Sequence, residues 1–452
     1  MKRILSLVLT FILLFTLFSF VGCKDEYERE IDIADYVVVI PTEATTTERY
    51  AAENFVSLVK SKIGVALSIV NDSCPEAERE FLIGSTSRSE SKTISPLNKG
   101  EYLLFARNKK IVMQGNGIYV GASCGNFINE FAIIKDGSTV LDITSVPKQE
   151  KVFTYSAKQK ATSVIFMIGD GMGENHISMA EYKGLNEFVA REFLYGGTSI
   201  TRSQSVINKE AEYTDSAASA TAMATGYKTL NRYIGIDKNG ASLLNVRELA
   251  HSFGAKTGII TTDVITGATP SSYMCHHNER DDAEILQAQI DALVNEKKID
   301  YCSGSVGNEL TTEVKNALSL FSSSESFFLM VEEGLIDKAS HSKKQADAIE
   351  YVKRFDDAIE YATQFALCHP EVALIVTADH ETGKLTKSTS KYGYSFLSYN
   401  HTNKDVPIFA LGAGTSIFDG SRIENIELAK FCASAYTTEA FGQAEPIDAV
   451  QE

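Results

Sequence analysis

The chain of 452 residues is 44% hydrophobic and 10% aromatic. Its length favours two globular domains, and its composition argues against a disordered protein. The formal net charge of −16 argues against nucleic acid as a partner, because affinity for a phosphate backbone requires a basic surface. An anionic substrate would therefore need a positive site that is built locally.

The N-terminus is typical of a secretory signal peptide. Lys2 and Arg3 precede an apolar run that ends in small residues before Cys23. The letters FVGC at 20–23 resemble a bacterial lipobox, which implies cleavage after residues 1–22 and lipidation of Cys23. We therefore expect an extracytoplasmic lipoprotein, anchored to a membrane and facing the periplasm or the cell surface of a Gram-negative bacterium. An uncleaved anchor and an ordinary secretory signal are the alternatives.

Residues 23–158 alternate between strand and helix patterns. YVVVIP and FLIGS have the character of buried strands, and the segment between them has helical spacing with a glycine stop. This pattern resembles the small non-catalytic α/β domain of α-glucuronidases and β-hexosaminidases, which implies a structural or docking role. The polar stretch 148–160 is interpreted as a linker, so that a second domain covers residues 159–452.

Six further cysteines have no tight metal-binding spacing. They are either buried small hydrophobic residues or disulfide partners in an oxidising compartment, and the sequence leaves both readings open. The six are Cys74, Cys124, Cys275, Cys302, Cys368 and Cys432.

The second domain has apolar runs separated by helical segments, which predicts an α/β fold with a mostly parallel sheet and helices on both faces. Three of these runs end in an acid: SVIFMIG before Asp170, FFLMV before Glu332 and ALIVTA before Asp379. In open α/β sheets the ligand crevice lies beyond the carboxyl ends of the strands. Three carboxylates clustered there would need cations to neutralise them.

The stretch YTDSAASATAMATG at 213–226 is composed almost entirely of small residues after one Asp-Ser pair. A flexible linker, a small-residue helix packed on the sheet and a chance run are structural interpretations. The functional interpretation makes Ser216 the cap of a helix N-terminus, where backbone N–H groups favour an attacking oxygen and an incoming anion.

Histidines supply the remaining candidate metal ligands. Asp337 and His341 are four residues apart, so a helical turn would bring both to one face. His380 follows Asp379 directly, and His401 lies just before another apolar strand. Carboxylates with imidazoles are typical of zinc, whereas carboxylates with hydroxyl groups and water are typical of magnesium.

Six motifs in order resemble the alkaline phosphatase family over residues 163–415. They are IGDGMG (168–173), TDSAASATA (214–222), ATP followed by Arg280, VEEGLIDKASH (331–341), TADHETG (377–383) and His401. Sulfatases of the same superfamily require a C-x-P-x-R nucleophile motif, which this sequence lacks.

The resemblance implies two Zn²⁺ and one Mg²⁺ in the catalytic domain. One zinc would be bound by Asp337, His341 and His401; the other by Asp170, Asp379, His380 and the Ser216 oxygen; and magnesium by Asp170, Thr269 and Glu332. Glu332 is chosen over Glu333 because it lies five residues before Asp337, as the family spacing requires. Arg280 would hold the phosphate with its planar guanidinium.

These roles imply a phosphomonoester hydrolase that acts on small-molecule substrates. Ser216 would form a phosphoseryl intermediate, and two metal ions would stabilise the attacking and leaving oxygens. A phosphodiesterase or nucleotide pyrophosphatase on the same fold is one alternative. A surface glycan-binding lipoprotein with an inert phosphatase half is another.

Two departures from the family bear on these expectations. Gly267 stands where relatives carry Asp or His, so Lys338 is expected to lack its usual acidic neighbour and to act on the bound phosphate. The segments 281–331 and 381–400 are short where relatives carry interface insertions. A homodimer and a monomer therefore both stay open.

Overall fold

The computed structural model describes residues 29–443, except residues 94, 135 and 136. The expected signal peptide, residues 1–22, and the expected lipidation site, Cys23, lie outside the described residues. No helix in the described part of the chain has both the length and the apolar character needed to span a membrane.

The first part of the chain is built around a mixed sheet. The described residues of this part contain nine strands: β1 Glu30–Asp32, β2 Val37–Ile40, β3 Ile69–Asn71, β4 Glu80–Ile83, β5 Glu101–Arg107, β6 Lys110–Gly115, β7 Ile133–Ile134, β8 Val140–Asp142 and β9 Val152–Thr154. Six of them form one sheet in the order β3-β2-β4-β6-β5-β9, and β1, β8 and β7 form a second, antiparallel sheet.

Two helices pack on this part, α1 Thr46–Ile63 and α2 Val120–Asn126. The start of α1 is set by a capping box, in which the Thr45 hydroxyl accepts from the Glu48 N–H and the Glu48 carboxylate accepts from the Thr45 N–H. Gly64 ends the helix with a left-handed φ of 82°. The strand–helix alternation expected from the sequence is therefore present.

The interpretation of residues 148–160 as a linker is wrong in part, because β9 lies within this stretch and pairs with β5. The Phe153 ring stacks on Tyr102 with 5.5 Å between centroids. A three-residue strand among polar neighbours gives too short an alternating pattern to be seen in the sequence.

The second part is built around an eight-stranded sheet in the order β13-β12-β14-β10-β15-β20-β11-β21. Its strands are β10 Ser163–Gly169, β11 Tyr195–Ile200, β12 Lys256–Thr261, β13 Tyr301–Gly304, β14 Phe327–Glu333, β15 Val372–Thr377, β20 Val406–Gly412 and β21 Ser421–Glu424. Four short strands form two hairpin-like pairs beside it: β16 Glu381–Thr382 with β19 His401–Thr402, and β17 Leu385–Lys387 with β18 Tyr394–Phe396. Within this sheet only β20 is antiparallel to its neighbours.

Helices cover both faces of this sheet, which confirms the predicted α/β class. They are α3 Glu174–Tyr182, α4 Gln204–Ile207, α5 Ser216–Thr225, α6 Val246–Ser252, α7 Ala268–Ser272, α8 Ala283–Asn295, α9 Leu310–Phe321, α10 Leu335–His341, α11 Gln345–Cys368 and α12 Ile426–Ser434. Alternate residues of β10 enter different cores: Ile165 and Met167 pack with α9, α10 and α11, whereas Phe166 and Ile168 pack with α5, α6 and α12.

The long helix α11 also packs against the first part of the chain, on α1 and α2. A Cβ atom on Gly125 would lie 2.7 Å from the Cα atom of Cys368, so only glycine allows this approach. Tyr119 and Ala122 share a hydrophobic core with Leu367. The two parts are therefore in direct contact, and the domain division near residue 158 stays a prediction.

The cysteines expected to be either buried hydrophobic residues or disulfide partners are free thiols at all six positions between residues 29 and 443. Cys124, Cys275, Cys368 and Cys432 are buried. Burial raises the pKa of the Cys275 and Cys368 thiols to about 12. These side chains therefore serve as small hydrophobic residues in the cores.

Candidate active site

Three central strands bring the predicted acids to one edge of the large sheet. The strands β14, β10 and β15 are neighbours, and Ile168 pairs with Glu332 on one side and with Thr377 on the other. Asp170 and Asp379 follow two residues later, and all three acids are buried. This edge is where the crevice of an open α/β sheet lies.

The first cluster consists of Asp170, Asp379 and His380, whose candidate ligand atoms lie within 4.8 Å of one another. His380 Nε2 is 3.1 Å from Asp379 Oδ2 and 3.6 Å from Asp170 Oδ1. Neither of these carboxylate oxygens has a hydrogen-bond partner among the described residues. Buried carboxylate oxygens without partners are costly, so this cluster fits a cation.

The second cluster consists of Asp337 and His341 on α10 and His401 on β19. His341 Nε2 is 3.3 Å from Asp337 Oδ2 and 2.9 Å from His401 Nε2. The opposite ring nitrogens, Nδ1, contact the carbonyl oxygens of Tyr399 and Thr214. A ring that donates from Nδ1 to a carbonyl keeps its lone pair on Nε2, so both histidines are set to bind a metal at the same point.

The two clusters are continuous. The rings of His380 and His401 stack with centroids 3.6 Å apart, and Asp337 lies within 4.8 Å of ligand atoms on both. His341 has 39% of its side chain exposed, whereas His380 is fully buried. The combined site therefore opens to solvent at His341.

Glu332 and Thr269 form a third group beside Asp170. The Glu332 carboxylate accepts a hydrogen bond from Thr261, and the buried Thr269 hydroxyl lies near the same carboxylate, whose pKa is raised by burial and lowered in part by this hydroxyl. Glu333 is engaged elsewhere, because the Arg354 guanidinium binds both of its oxygens at 2.7 and 2.6 Å. Of the two adjacent glutamates, Glu332 is the one that faces the acids.

The electrostatics of the acids agree with a cation site. Burial, reinforced by the Asp379 and Asp337 carboxylates, raises the pKa of Asp170 well above its usual range. Burial also raises the pKa of Asp379 to about 7 and that of Glu332 to about 8. Burial opposes ionisation of Asp337 too, but its bond to His341 and the neighbouring imidazoles lower its pKa overall. Bound cations would hold all four carboxylates in the ionised form.

Ser216 is the first residue of α5, and its Oγ lies 3.2 Å from His380 Nε2. The expectation that Ser216 caps the helix is wrong. The cap is Asp215, whose Oδ1 accepts from the Ala218 N–H at 3.0 Å. All ten residues of α5 are buried, so only small side chains allow the helix to pack this close to the sheet. The Ser216 hydroxyl is thereby held against the first cluster.

Arg280 lies at the same end of α5, with Nη1 at 3.1 Å from Asp215 Oδ2. Asp215 therefore links the guanidinium to the serine helix. The Asp-Ser pair is visible in the sequence, but a role for Asp215 was not predicted from it. Its position at a helix start, directly before the candidate nucleophile, was the available signal.

The expectation that Lys338 lacks an acidic partner is wrong. Its ammonium forms an ion pair with the carboxylate of Asp263, while 54% of the lysine side chain is exposed. Gly267 directly precedes α7 and offers Lys338 no carboxylate, as expected. Asp263 lies four residues before Gly267, in the loop that leads to α7. A comparison with relatives at position 267 alone therefore does not reveal it.

Three histidines outside these clusters bind other partners. His176 Nε2 is 3.0 Å from Ser340 Oγ, His276 Nε2 is 3.1 Å from Glu248 and His277 Nε2 is 3.2 Å from Asp282. His276 and His277 are close to Arg280 in sequence. The structure gives both of them local carboxylate partners instead.

Known proteins resemble the second part of the chain. A family model described as alkaline phosphatase matches residues 161–314 and 303–397. Alkaline phosphatases 4 and 3 of Bacillus subtilis (strain 168) are 31% and 29% identical over 296 and 286 residues, which cover 51% and 49% of this chain. The chain spans 63% and 61% of the lengths of these two relatives.

A solved structure agrees with these sequence matches. A mutant of TAB5 alkaline phosphatase with Mg bound in the M3 site superposes with a TM-score of 0.56 at 25% identity. The match covers 63% of this chain and all of that one. The family model begins at residue 161, so the resemblance of the first part to α-glucuronidase and β-hexosaminidase domains stays a prediction.

Proposed function

The chain belongs to the alkaline phosphatase family, and from this premise we propose that it is a metal-dependent phosphomonoester hydrolase with Ser216 as its nucleophile. One observation carries the proposal. Ser216 Oγ lies 3.2 Å from His380, in a cluster where the buried oxygens Asp170 Oδ1 and Asp379 Oδ2 have no hydrogen-bond partner among the described residues. A hydroxyl group at a helix start beside a cation site is the arrangement that phosphoryl transfer to serine requires.

The donor sets suit two Zn²⁺ and one Mg²⁺. The zinc ligands would be Asp337, His341 and His401 for one ion, and Asp170, Asp379, His380 and Ser216 for the other; the magnesium ligands would be Asp170, Thr269 and Glu332. Imidazoles with carboxylates favour zinc, and hydroxyl groups with carboxylates favour magnesium. When bound, the ions would stabilise the negative charge of the attacking and leaving oxygens. The Mg²⁺ in the TAB5 mutant supports this assignment in general terms.

The residues of the chain would position the phosphate ester and divide its hydrolysis into two steps. Ser216 Oγ forms a bond to phosphorus as the ester P–O bond breaks, which gives a phosphoseryl intermediate. Water then displaces the serine oxygen and releases inorganic phosphate. The alcohol product leaves past His341, where the site opens.

Arg280 favours monoesters over diesters. Its guanidinium is fixed on Asp215, and its remaining N–H groups can bind two phosphate oxygens as a planar fork. A monoester dianion offers one more charged oxygen than a diester does. We expect p-nitrophenyl phosphate to be hydrolysed with a higher kcat/KM than bis(p-nitrophenyl) phosphate. A clear preference for the diester would contradict the proposal.

The place of action is proposed from the sequence pattern of residues 1–23. Cleavage after residue 22 and lipidation of Cys23 would anchor the enzyme outside the cytoplasm, with residues 23–158 as an accessory domain ahead of the catalytic domain. Labelled palmitate should be incorporated into the protein in the bacterial host. The substitution Cys23→Ala should abolish that incorporation, and equal labelling of the variant would contradict the anchor.

A further inference from the structure

One turn of α5 carries two serines that both contact the metal-binding strand end. Ser216 and Ser219 are three residues apart and lie on the same side of the helix. Ser216 Oγ is 3.2 Å from the His380 ring, and Ser219 Oγ donates to the backbone carbonyl of Asp379 at 2.6 Å. The position of the nucleophile relative to Asp379 and His380 is thus tied to the Ser219 hydrogen bond.

Behind Ser219 the contacts continue through buried side chains to a lysine. Asn425 Nδ2 donates to Ser219 Oγ at 3.0 Å, and Lys228 Nζ donates to Asn425 Oδ1 at 2.7 Å. Lys228 also pairs with Glu424 at 2.9 Å. Ser219 and Asn425 are fully buried, and only 1% of the Lys228 side chain is exposed.

The chemistry of these groups fixes the direction of each bond. A lysine ammonium has donors only, so the amide oxygen of Asn425 must face Lys228 and its NH₂ group must face Ser219. The Ser219 oxygen then accepts from Asn425, which leaves its own proton for the Asp379 carbonyl. Removing Lys228 would free the Asn425 amide to rotate. The order of donors and acceptors along these hydrogen bonds would then no longer be fixed.

We propose that Lys228, Asn425 and Ser219 are positioning residues that hold the serine helix in register with the strand end carrying Asp379 and His380. The inference rests on the proposed function of that site. A buried ammonium is expensive to desolvate, and apolar residues of similar volume often stabilise a core better than buried charges. The chain accepts this desolvation cost because the buried ammonium fixes the geometry of the site. Burial lowers the pKa of Lys228 to about 8, which reflects that cost.

The test uses metal binding as well as activity. Metal-depleted full-length protein is titrated with Zn²⁺, and with Co²⁺ as a spectroscopic probe, for the wild type, Ser219→Ala and Lys228→Met. Loss of such outer contacts typically weakens metal affinity by about 10–100-fold. We expect Ser219→Ala to lower the affinity of one site in this range and to alter the Co²⁺ absorption spectrum. Lys228 touches no candidate ligand, but Lys228→Met should change the metal affinity and the Co²⁺ spectrum in the same direction.

Thr225→Val is the matched control, since it removes a buried hydroxyl group from the same helix that donates to the Thr221 carbonyl and accepts from the Tyr227 N–H, neither of which is a candidate ligand. Its metal affinity and spectrum should equal those of the wild type. The proposal is overturned if Ser219→Ala and Lys228→Met bind both metals as the wild type does, or if Thr225→Val shows the same losses. If Ser219→Ala does not fold, Lys228→Met decides alone. Failure of the proposed function would be seen separately, as a wild-type protein that binds metal but hydrolyses no phosphate monoester.

Discussion

Asp215 binds Arg280 through one carboxylate oxygen and caps the serine helix through the other. Its Oδ2 also accepts from the backbone N–H of Arg232 at 2.9 Å. One side chain thus fixes the guanidinium and the start of α5 relative to each other. The position of Arg280 relative to Ser216 is therefore set by the contacts of Asp215.

Arg280→Ala should lower kcat/KM for p-nitrophenyl phosphate by about 10–100-fold, as expected for loss of charge-assisted hydrogen bonds. The diester should lose less activity, because it has one charged oxygen fewer. Arg280→Lys should recover part of the loss, since it restores charge without the planar fork. Steady-state kinetics with both substrates checks this, and equal losses on monoester and diester would contradict the role of Arg280.

Ser216→Ala should retain the fold and the bound metal but lose turnover by about a thousandfold or more. In the proposed mechanism the hydroxyl group carries the covalent step, whereas its removal deletes a single packing atom. Turnover, zinc content and Tm are the measurements. Ser252→Ala on α6, whose hydroxyl donates to the Leu249 carbonyl, is the control and should remain fully active. Turnover of Ser216→Ala at the wild-type level would remove Ser216 from the mechanism.

The sequence could predict the fold because parallel buried strands are long apolar runs. Each of β10, β14 and β15 is followed or ended by an acid, and the shared direction of the strands brings these acids together. The four-residue spacing along α10 was likewise sufficient to predict that Asp337 and His341 lie on one face of a helix. These are features that depend on local sequence and one topological rule.

The contacts that the sequence did not predict join segments far apart in the chain. Asp263 reaches Lys338 across 75 residues, and Asn425 reaches Ser219 across 206. Neither pair has a fixed spacing, because the intervening loops can vary in length without changing the contact. Strand β9 was missed for the different reason that three residues carry almost no periodic signal.

The acids of the site should make the stability of the metal-free protein depend on pH. Asp379 and Glu332 have pKa values of about 7 and about 8 in the fold, against 3.8 and 4.5 ordinarily. The folded chain therefore binds these protons more tightly than the unfolded chain, so the stability they contribute is lost as the pH rises through this range. Burial lowers the pKa of His176, His380 and His401, which opposes this trend at lower pH. Above about pH 6.5 these histidines are neutral in both the folded and the unfolded chain and no longer oppose it.

We expect the Tm of the chelator-treated protein to fall between about pH 6.5 and 8.5. With Zn²⁺ and Mg²⁺ present, Tm should rise over the same range, because metals bind the ionised carboxylates and release protons. Glu332→Gln should make the slope of the metal-free protein shallower. Thermal unfolding in a series of buffers measures all three, and a Tm of the metal-free protein that rises with pH would contradict the assignment of these buried acids.

Lys338→Ala should raise KM and the inhibition constant for inorganic phosphate by similar factors. Because Asp263 already neutralises the half-exposed ammonium, the effect should be only about two- to fivefold. Turnover should fall less than it does in Ser216→Ala, since Lys338 makes no covalent bond.

Asp263→Asn provides the opposite test, because it leaves the Lys338 ammonium without its ion-pair partner. A cation stabilises bound phosphate, so this variant should lower the inhibition constant for phosphate, and the gain should vanish in Asp263→Asn combined with Lys338→Ala. Titration of phosphate inhibition in the wild type and the three variants checks the cycle. If the constant is the same in all four proteins, Lys338 lies outside the phosphate site and its ion pair with Asp263 serves only to join α10 to the loop after β12.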